Sequence, residues 1–177
     1  GEMSDASYEV LLYEFRADLN SYLKDSSAPV QSLADLIEYN EASADAVMPI
    51  FGQEIFLAAE AKGPLTEEAY LSALEAGRDI AQQTMDGIFA EHGLDALIAP
   101  TNGPAWMIDH INGDFFGAGS SSLAAISGYP NITVPAGFVS GMPVGLSFMG
   151  LAWNEKRLIE IAYAFEQTTK VRTPPDL

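Results

Sequence analysis

The chain has no cysteine, two histidines and only eight Lys and Arg residues among 177. The first absence removes disulfides, thiolate zinc sites and cysteine nucleophiles together. It is compatible with a reducing compartment, and a cytoplasmic location is the expectation. With the two imidazoles far apart, at His92 and His110, a transition-metal site would rest on carboxylates alone, and no metal site is assigned. The eight cations stand against twenty-five Asp and Glu, a formal net charge of −17. No Lys/Arg cluster offsets that field, so a phosphate backbone would be repelled and no nucleic-acid partner is expected. No apolar run approaches the roughly 20 residues that cross a bilayer, so no membrane partner is expected either. The opening residues lack a secretory leader pattern.

What the sequence does contain describes a folded globule. Hydrophobic residues make up 48% and charged residues 19%, enough apolar surface to offset the entropy of ordering. The length suits one domain and is short for two. The carboxylates are spread along the chain, which reads as a well-solvated acidic surface. The first residue is Gly1 rather than Met, and a processed or excised piece is the expectation.

Residues 1–93 read as mainly helical. Tyr8, Leu11, Leu12, Phe15, Leu19, Tyr22 and Leu23 recur with helical period, with Glu9, Glu14, Arg16 and Asp18 off the stripe. Ser32 followed by Asp35 resembles a capping box opening a second helix. A third helix is expected to begin near Pro49, with Met48, Phe51, Ile55 and Ala59 on one face, and to stop at Lys62-Gly-Pro64. Thr66 offers an N-cap for a long fourth helix that runs to Gly93. Residues 94–177 change period. Asp95 to Pro100 reads as a buried strand. Asn131–Phe138 and Pro143–Gly150 read as a hairpin, with Pro135 marking a strand end or sheet edge. Asn154 caps a last helix that turns Leu158, Ile161, Ala162 and Phe165 inward. About three strands is a thin sheet for an α/β layer, which usually holds about five or six.

The richest chemistry lies between Ala99 and Pro135. Pro100-Thr101-Asn102-Gly103-Pro104 leaves a strand end, and Trp106, Asp109, His110, Asn112 and Asp114 follow without periodicity. Such residues on a loop at a strand end suit a binding site; the alternative is a surface loop anchored by a buried Trp. Gly117 to Ser122 precedes a short helix, Leu123 to Ser127. Its serines could cap that helix or supply a nucleophile, the cap being the simpler role for any one of them. The run lacks the Lys of a phosphate-binding loop. His110 adjoins Asp109, but neighbours in sequence rarely orient one another as a triad requires. His92 at a helix end is explained by the helix field, and Lys62 reads as a solvated charge.

Several runs together resemble the amidase signature family, which includes peptide amidases and aminoacyl-tRNA amidotransferase A subunits. They are Gly93-Leu-Asp-Ala-Leu-Ile-Ala-Pro-Thr101 with Gly103-Pro-Ala-Trp106, Ala124-Ala-Ile-Ser-Gly-Tyr-Pro-Asn-Ile-Thr-Val-Pro-Ala-Gly137, and Gly141-Met-Pro-Val-Gly-Leu-Ser-Phe-Met-Gly150. The ending around Ala162-Tyr-Ala-Phe-Glu-Gln167 and the opening Glu9-Val-Leu-Leu-Tyr-Glu-Phe15 fit as well, so the likeness covers nearly the whole chain. It implies the C-terminal portion, residues 1–177, of a single amidase domain whose mixed twisted sheet is wrapped by helices. It also implies amide C–N hydrolysis by a Ser activated through a second Ser, held by a cis peptide, and a Lys base, with no cofactor.

That Lys and the Gly-Gly-Ser-Ser-Gly-Gly core lie upstream of the matched part. Gly117 to Ser122 and Lys62 do not occupy those positions, so no catalytic residue is assigned in this chain, and it is expected to be inactive alone. The resemblance implies a substrate-pocket role for Thr101, Trp106, Asp109, Ser120 and Ser121. The implied partners are a small amide or peptide-amide substrate and the N-terminal amidase portion; exposed strand edges also imply self-association. Two other readings stay open. One is a complete small Ser hydrolase using Ser120 with Asp109 or His110. The other is a non-catalytic interaction module.

Overall fold

The computed structural model describes residues 1–175. Every element up to His92 is helical, and all strands follow. Two compact units divide at Gly77 and Arg78, inside the long helix.

The first unit is built on α1 (Glu2–Asp25), α2 (Leu33–Ala42), α3 (Ala44–Val47), α4 (Glu54–Glu60) and the start of α5 (Glu68–His92). Its core gathers Leu12, Leu33, Ile37 and Ala59, with Phe15, Leu19 and Phe56 packed against them. Only one line of the α1 stripe is used. Leu12 and Leu23 are buried, whereas Leu11 and Tyr22 are exposed; eleven residues, or about three turns, separate the exposed pair and put them on one uncovered edge. The Ser32 cap forms: its hydroxyl accepts from the Asp35 amide at 3.1 Å while the Asp35 carboxylate accepts from the Gln31 amide at 2.9 Å. The Asn20 side chain accepts from Leu33 N at 2.7 Å and satisfies a further donor of the first turn.

Three expectations need correction here. The helix expected from Pro49 starts later, at Glu54, with Pro49 in the connection after α3. The long helix starts at Glu68, two residues beyond Thr66. Lys62 is not a free solvated charge: its ammonium meets Glu9 at 2.6 Å and lies 5.3 Å from the Tyr13 ring centroid. Tyr13 in turn donates to Glu67 at 2.7 Å and Tyr70 to Glu14 at 2.8 Å, tying α1 to the segment around the α5 start.

The second unit contains the rest of α5, β1 (Leu97–Pro100), α6 (Ser121–Ser127), β2 (Asn131–Val139), β3 (Met142–Met149) and α7 (Glu155–Thr169). The strands form an antiparallel sheet in the order β1-β3-β2. Side chains alternate across it. Ile132, Val134, Leu146 and Phe148 pack with Leu158, Ala162 and Phe165 of α7. On the other face Leu97, Ala99 and Met149 pack with Met85 and Phe89 of α5 and Ala124 of α6. The β2–β3 hairpin turns at Ser140 and Gly141, both with positive φ (50° and 82°), the geometry that matches strand twist in a two-residue connection. Pro135 lies within an edge strand, not at its end, and the register shifts just after it.

Candidate functional site

The sheet brings the strand end at Thr101 against the turn at Ser120. Thr101 N donates to the Gly145 carbonyl at 2.8 Å, which extends the β1 pairing by one residue. The Thr101 carbonyl then accepts from Ser120 N at 3.2 Å, Gly103 N donates to the Ala118 carbonyl at 3.2 Å, and Asn102 bridges to Gly119. Residues 103–118 therefore form a loop closed at its neck, the geometry of an Ω-loop. Of the residues singled out in the sequence, Thr101 and Ser120 meet at this neck. Ser121 is the exposed first residue of α6. Ser120 occupies the N-cap position without capping; its hydroxyl points to the Thr101 carbonyl at 3.5 Å.

Trp106 and Asp109 are placed out on the loop. Trp106 is not buried: it is 40% exposed, lies edge-on to Phe116 at 6.2 Å, and donates to Asp114 at 3.3 Å. Asp109 accepts from the Ile111 and Asn112 amides, both at 2.9 Å, and from the Asn112 side chain at 2.7 Å. The Asn112 side-chain amide, followed by the two backbone N–H groups, holds the Asp109 carboxyl below the ordinary aspartate value. That carboxylate thus organises its own turn, and the Ser120 hydroxyl is directed at a backbone carbonyl. The loop apex presents Met107, Ile108, Ile111 and Phe115 to solvent, each at least 79% exposed.

Beneath the neck lies a group of side chains that the strand patterns concealed. The hydroxyls of Thr101, Thr133 and Ser147 converge on one sheet face: Thr101 Oγ1 lies 2.9 Å from Ser147 Oγ and also bonds Thr133 Oγ1. Three strands contribute one hydroxyl segment each, since Ala99 and Thr133 both register with Ser147 and Thr101 continues β1 on the same side. Gly145 lets them meet. A Cβ there would stand 2.8 Å from both threonine oxygens, closer than packing allows. Ser147 is 1% exposed. The signal was present as hydroxyl residues between Ile132 and Val134 and between Leu146 and Phe148, on the sheet face whose Leu97, Ala99 and Met149 pack with α5 and α6. Among the described residues, no group of three His, Asp or Glu side chains converges as a metal ligand set.

The amidase family model matches residues 2–159. The chain belongs to the amidase family. It is 41% identical to a probable amidase of Arabidopsis thaliana over 176 residues, covering 97% of this chain and 31% of that protein. It is 37% identical over 108 residues to the A subunit of a glutamyl-tRNA(Gln) amidotransferase from Clostridium acetobutylicum, covering 58% of this chain and 22% of that one. The peptide amidase of Stenotrophomonas maltophilia superposes with a TM-score of 0.84 at 47% identity, over 98% of this chain and 35% of that enzyme. The chain thus spans about a third of the length of the plant amidase and the peptide amidase, and its mixed α/β architecture is that of amidase signature enzymes.

Proposed function

We propose that this chain is the C-terminal portion of an amide C–N hydrolase, supplying scaffold and a wall of the substrate pocket. The nucleophile and base are assigned to polypeptide upstream, and the chain is inactive alone. One observation carries the reading: the Thr101–Ser120 neck draws two sequence-distant polar segments to one point of the sheet, as a pocket wall requires. The likeness to a peptide amidase over nearly all of this chain and about a third of that enzyme supports it, and peptide-like amides are the proposed substrate class. Thr101, Ser120 and Ser121 line the pocket, with Trp106 and Asp109 shaping the loop above it. Division of labour of this kind is chemically sound, because activating a nucleophile needs hydrogen-bonded neighbours whereas cavity walls can come from distant segments.

The test is ammonia release from a peptide amide, measured for the chain alone and after co-expression with an upstream amidase portion carrying the Lys and serine core. Activity only in the combination supports the reading. Turnover by the chain alone, abolished by Ser120→Ala or Ser121→Ala, would overturn it in favour of a complete small hydrolase; labelling of Ser120 by a reactive serine probe would do the same. The exposed apolar loop apex favours a second reading, an interaction module. That reading requires a stable monomer with a specific ligand of its own and no reconstituted turnover.

A further inference from the structure

We infer that the Thr133 hydroxyl is a solvent-accessible hydrogen-bond donor for a neutral carbonyl oxygen, held in that state by a relay beginning at buried Ser147. Each hydroxyl carries one proton and can accept as well as donate. Ser147 is 1% exposed and its hydroxyl partner among the described residues is Thr101. Were Ser147 to accept from Thr101, its own proton would be buried without an acceptor, a state that proteins avoid. Ser147 therefore donates to Thr101. With Ser147 as a donor, the acceptor that remains for the single Thr101 proton among the described residues is Thr133 Oγ1, and the proton goes there. The Thr133 oxygen is thereby an acceptor inward, and its own O–H is released to the exposed side of the residue. Hydrogen bonds in a chain polarise one another, so the terminal donor is strengthened.

The acceptor it suits is neutral. Between Arg78 and Lys156 the sequence has no Lys or Arg, while Asp109 and Asp114 stand on the loop above the same neck. An anion would approach an acidic surface with no basic residue of that segment to receive it. A carbonyl oxygen carries the acceptor strength without the charge. The assignment rests on the reading of this neck as a pocket wall and adds to it the group that is recognised, the carbonyl of an amide.

The experiment titrates acetamide, and separately acetate, into the intact protein with labelled threonine methyl groups, followed by NMR. Acetamide is expected to shift the Thr101 and Thr133 methyl signals, with acetate binding at least several-fold more weakly. Thr133→Val, which keeps the shape and removes the hydroxyl, should weaken acetamide about fivefold as read at the Thr101 methyl, and Thr133→Ser should stay within about twofold of wild type. Ser147→Ala leaves the surface intact but no longer fixes the relay direction. It should weaken acetamide about two- to threefold, which gives a second reading should Thr133→Val fold poorly. Absence of any acetamide shift, equal binding by Thr133→Val, or acetate binding as well as acetamide would each overturn the inference. None of these measurements requires turnover. Acetamide binding of this kind, with no turnover even after combination with the upstream portion, refutes the hydrolase reading alone, and an active combination formed with a chain whose Thr133→Val variant binds acetamide normally refutes the donor alone.

Discussion

Replacing Gly145 by Ala tests whether the convergent hydroxyls are held by the sheet or merely lie near one another. The backbone does not oppose the change, since Gly145 is not among the glycines with positive φ. What opposes it is space: the new methyl would sit 2.8 Å from Thr101 Oγ1 and Thr133 Oγ1 and 3.2 Å from Thr101 Cβ. The threonines must rotate away, which breaks both hydroxyl contacts and strands the buried Ser147 proton. Each lost bond costs about 0.5–1.5 kcal/mol and the stranded group about 1–3 kcal/mol. Alanine returns about 0.4–1 kcal/mol by restricting the unfolded chain. The net is a destabilisation of about 1–5 kcal/mol. Urea denaturation followed by far-UV circular dichroism reads it as a lower midpoint at unchanged slope. In the double variant with Ser147→Ala the stranded proton no longer exists, so the combined loss should fall short of the sum by about 1–2 kcal/mol. A Gly145→Ala protein within about 0.5 kcal/mol of wild type, or strictly additive losses, would refute the reasoning.

Elsewhere, Gly87 lies in the α5 interior, and a Cβ added there would meet nothing within 4 Å; Gly87→Ala should stabilise by about 0.5–1 kcal/mol in the same denaturation assay. The Asp35 carboxyl is held below its ordinary value, first by the Gln31 amide and then by Ser32. Its contribution is therefore present above about pH 4 and lost as pH falls through the lower folded value; the stability gap between wild type and Asp35→Asn should close on acidification. Tyr13 is shifted the other way, with its bond to Glu67 the first cause, so its neutral form is favoured. That contribution is complete below about pH 10 and lost as pH rises through the higher folded value; a phenol titration by ultraviolet absorbance should lose a late-ionising tyrosine in Tyr13→Phe and shift it earlier in Glu67→Gln.

Elements marked by a local pattern were the ones the sequence disclosed. The Ser32–Asp35 cap, the hairpin around Ser140–Gly141 and the apolar face of α7 are each signalled by residues within a few positions of one another. Thr101 and Ser120 were also legible as candidates, but their meeting was not, because it depends on an isolated bridge between Asn102 and Gly119. The pairings that went unread span longer separations: Lys62 with Glu9, Tyr70 with Glu14, and above all Thr101 with Thr133 and Ser147. No periodicity marks such partners, since strand alternation says which side a residue faces and not which residue of another strand lies opposite.

Register supplies the missing information, and it also explains why glycine stands at 145. Pairing sets Thr133 opposite Ser147 and Pro135 opposite Gly145, and the Thr101 amide closes on the Gly145 carbonyl. The central strand must therefore offer a hydroxyl at one position and empty space two residues earlier, on the same face. A side chain at 145 would part the outer strands' threonines, and an apolar residue at 147 would remove the donor that orients them. A slip of β3 by one residue would send Ser147 to the α7 face, where Leu146 and Phe148 now pack, and would bring apolar side chains beneath the neck. The same register that buries the two apolar layers therefore determines where the polar group can exist, so fold and candidate site rest on a single alignment of three strands.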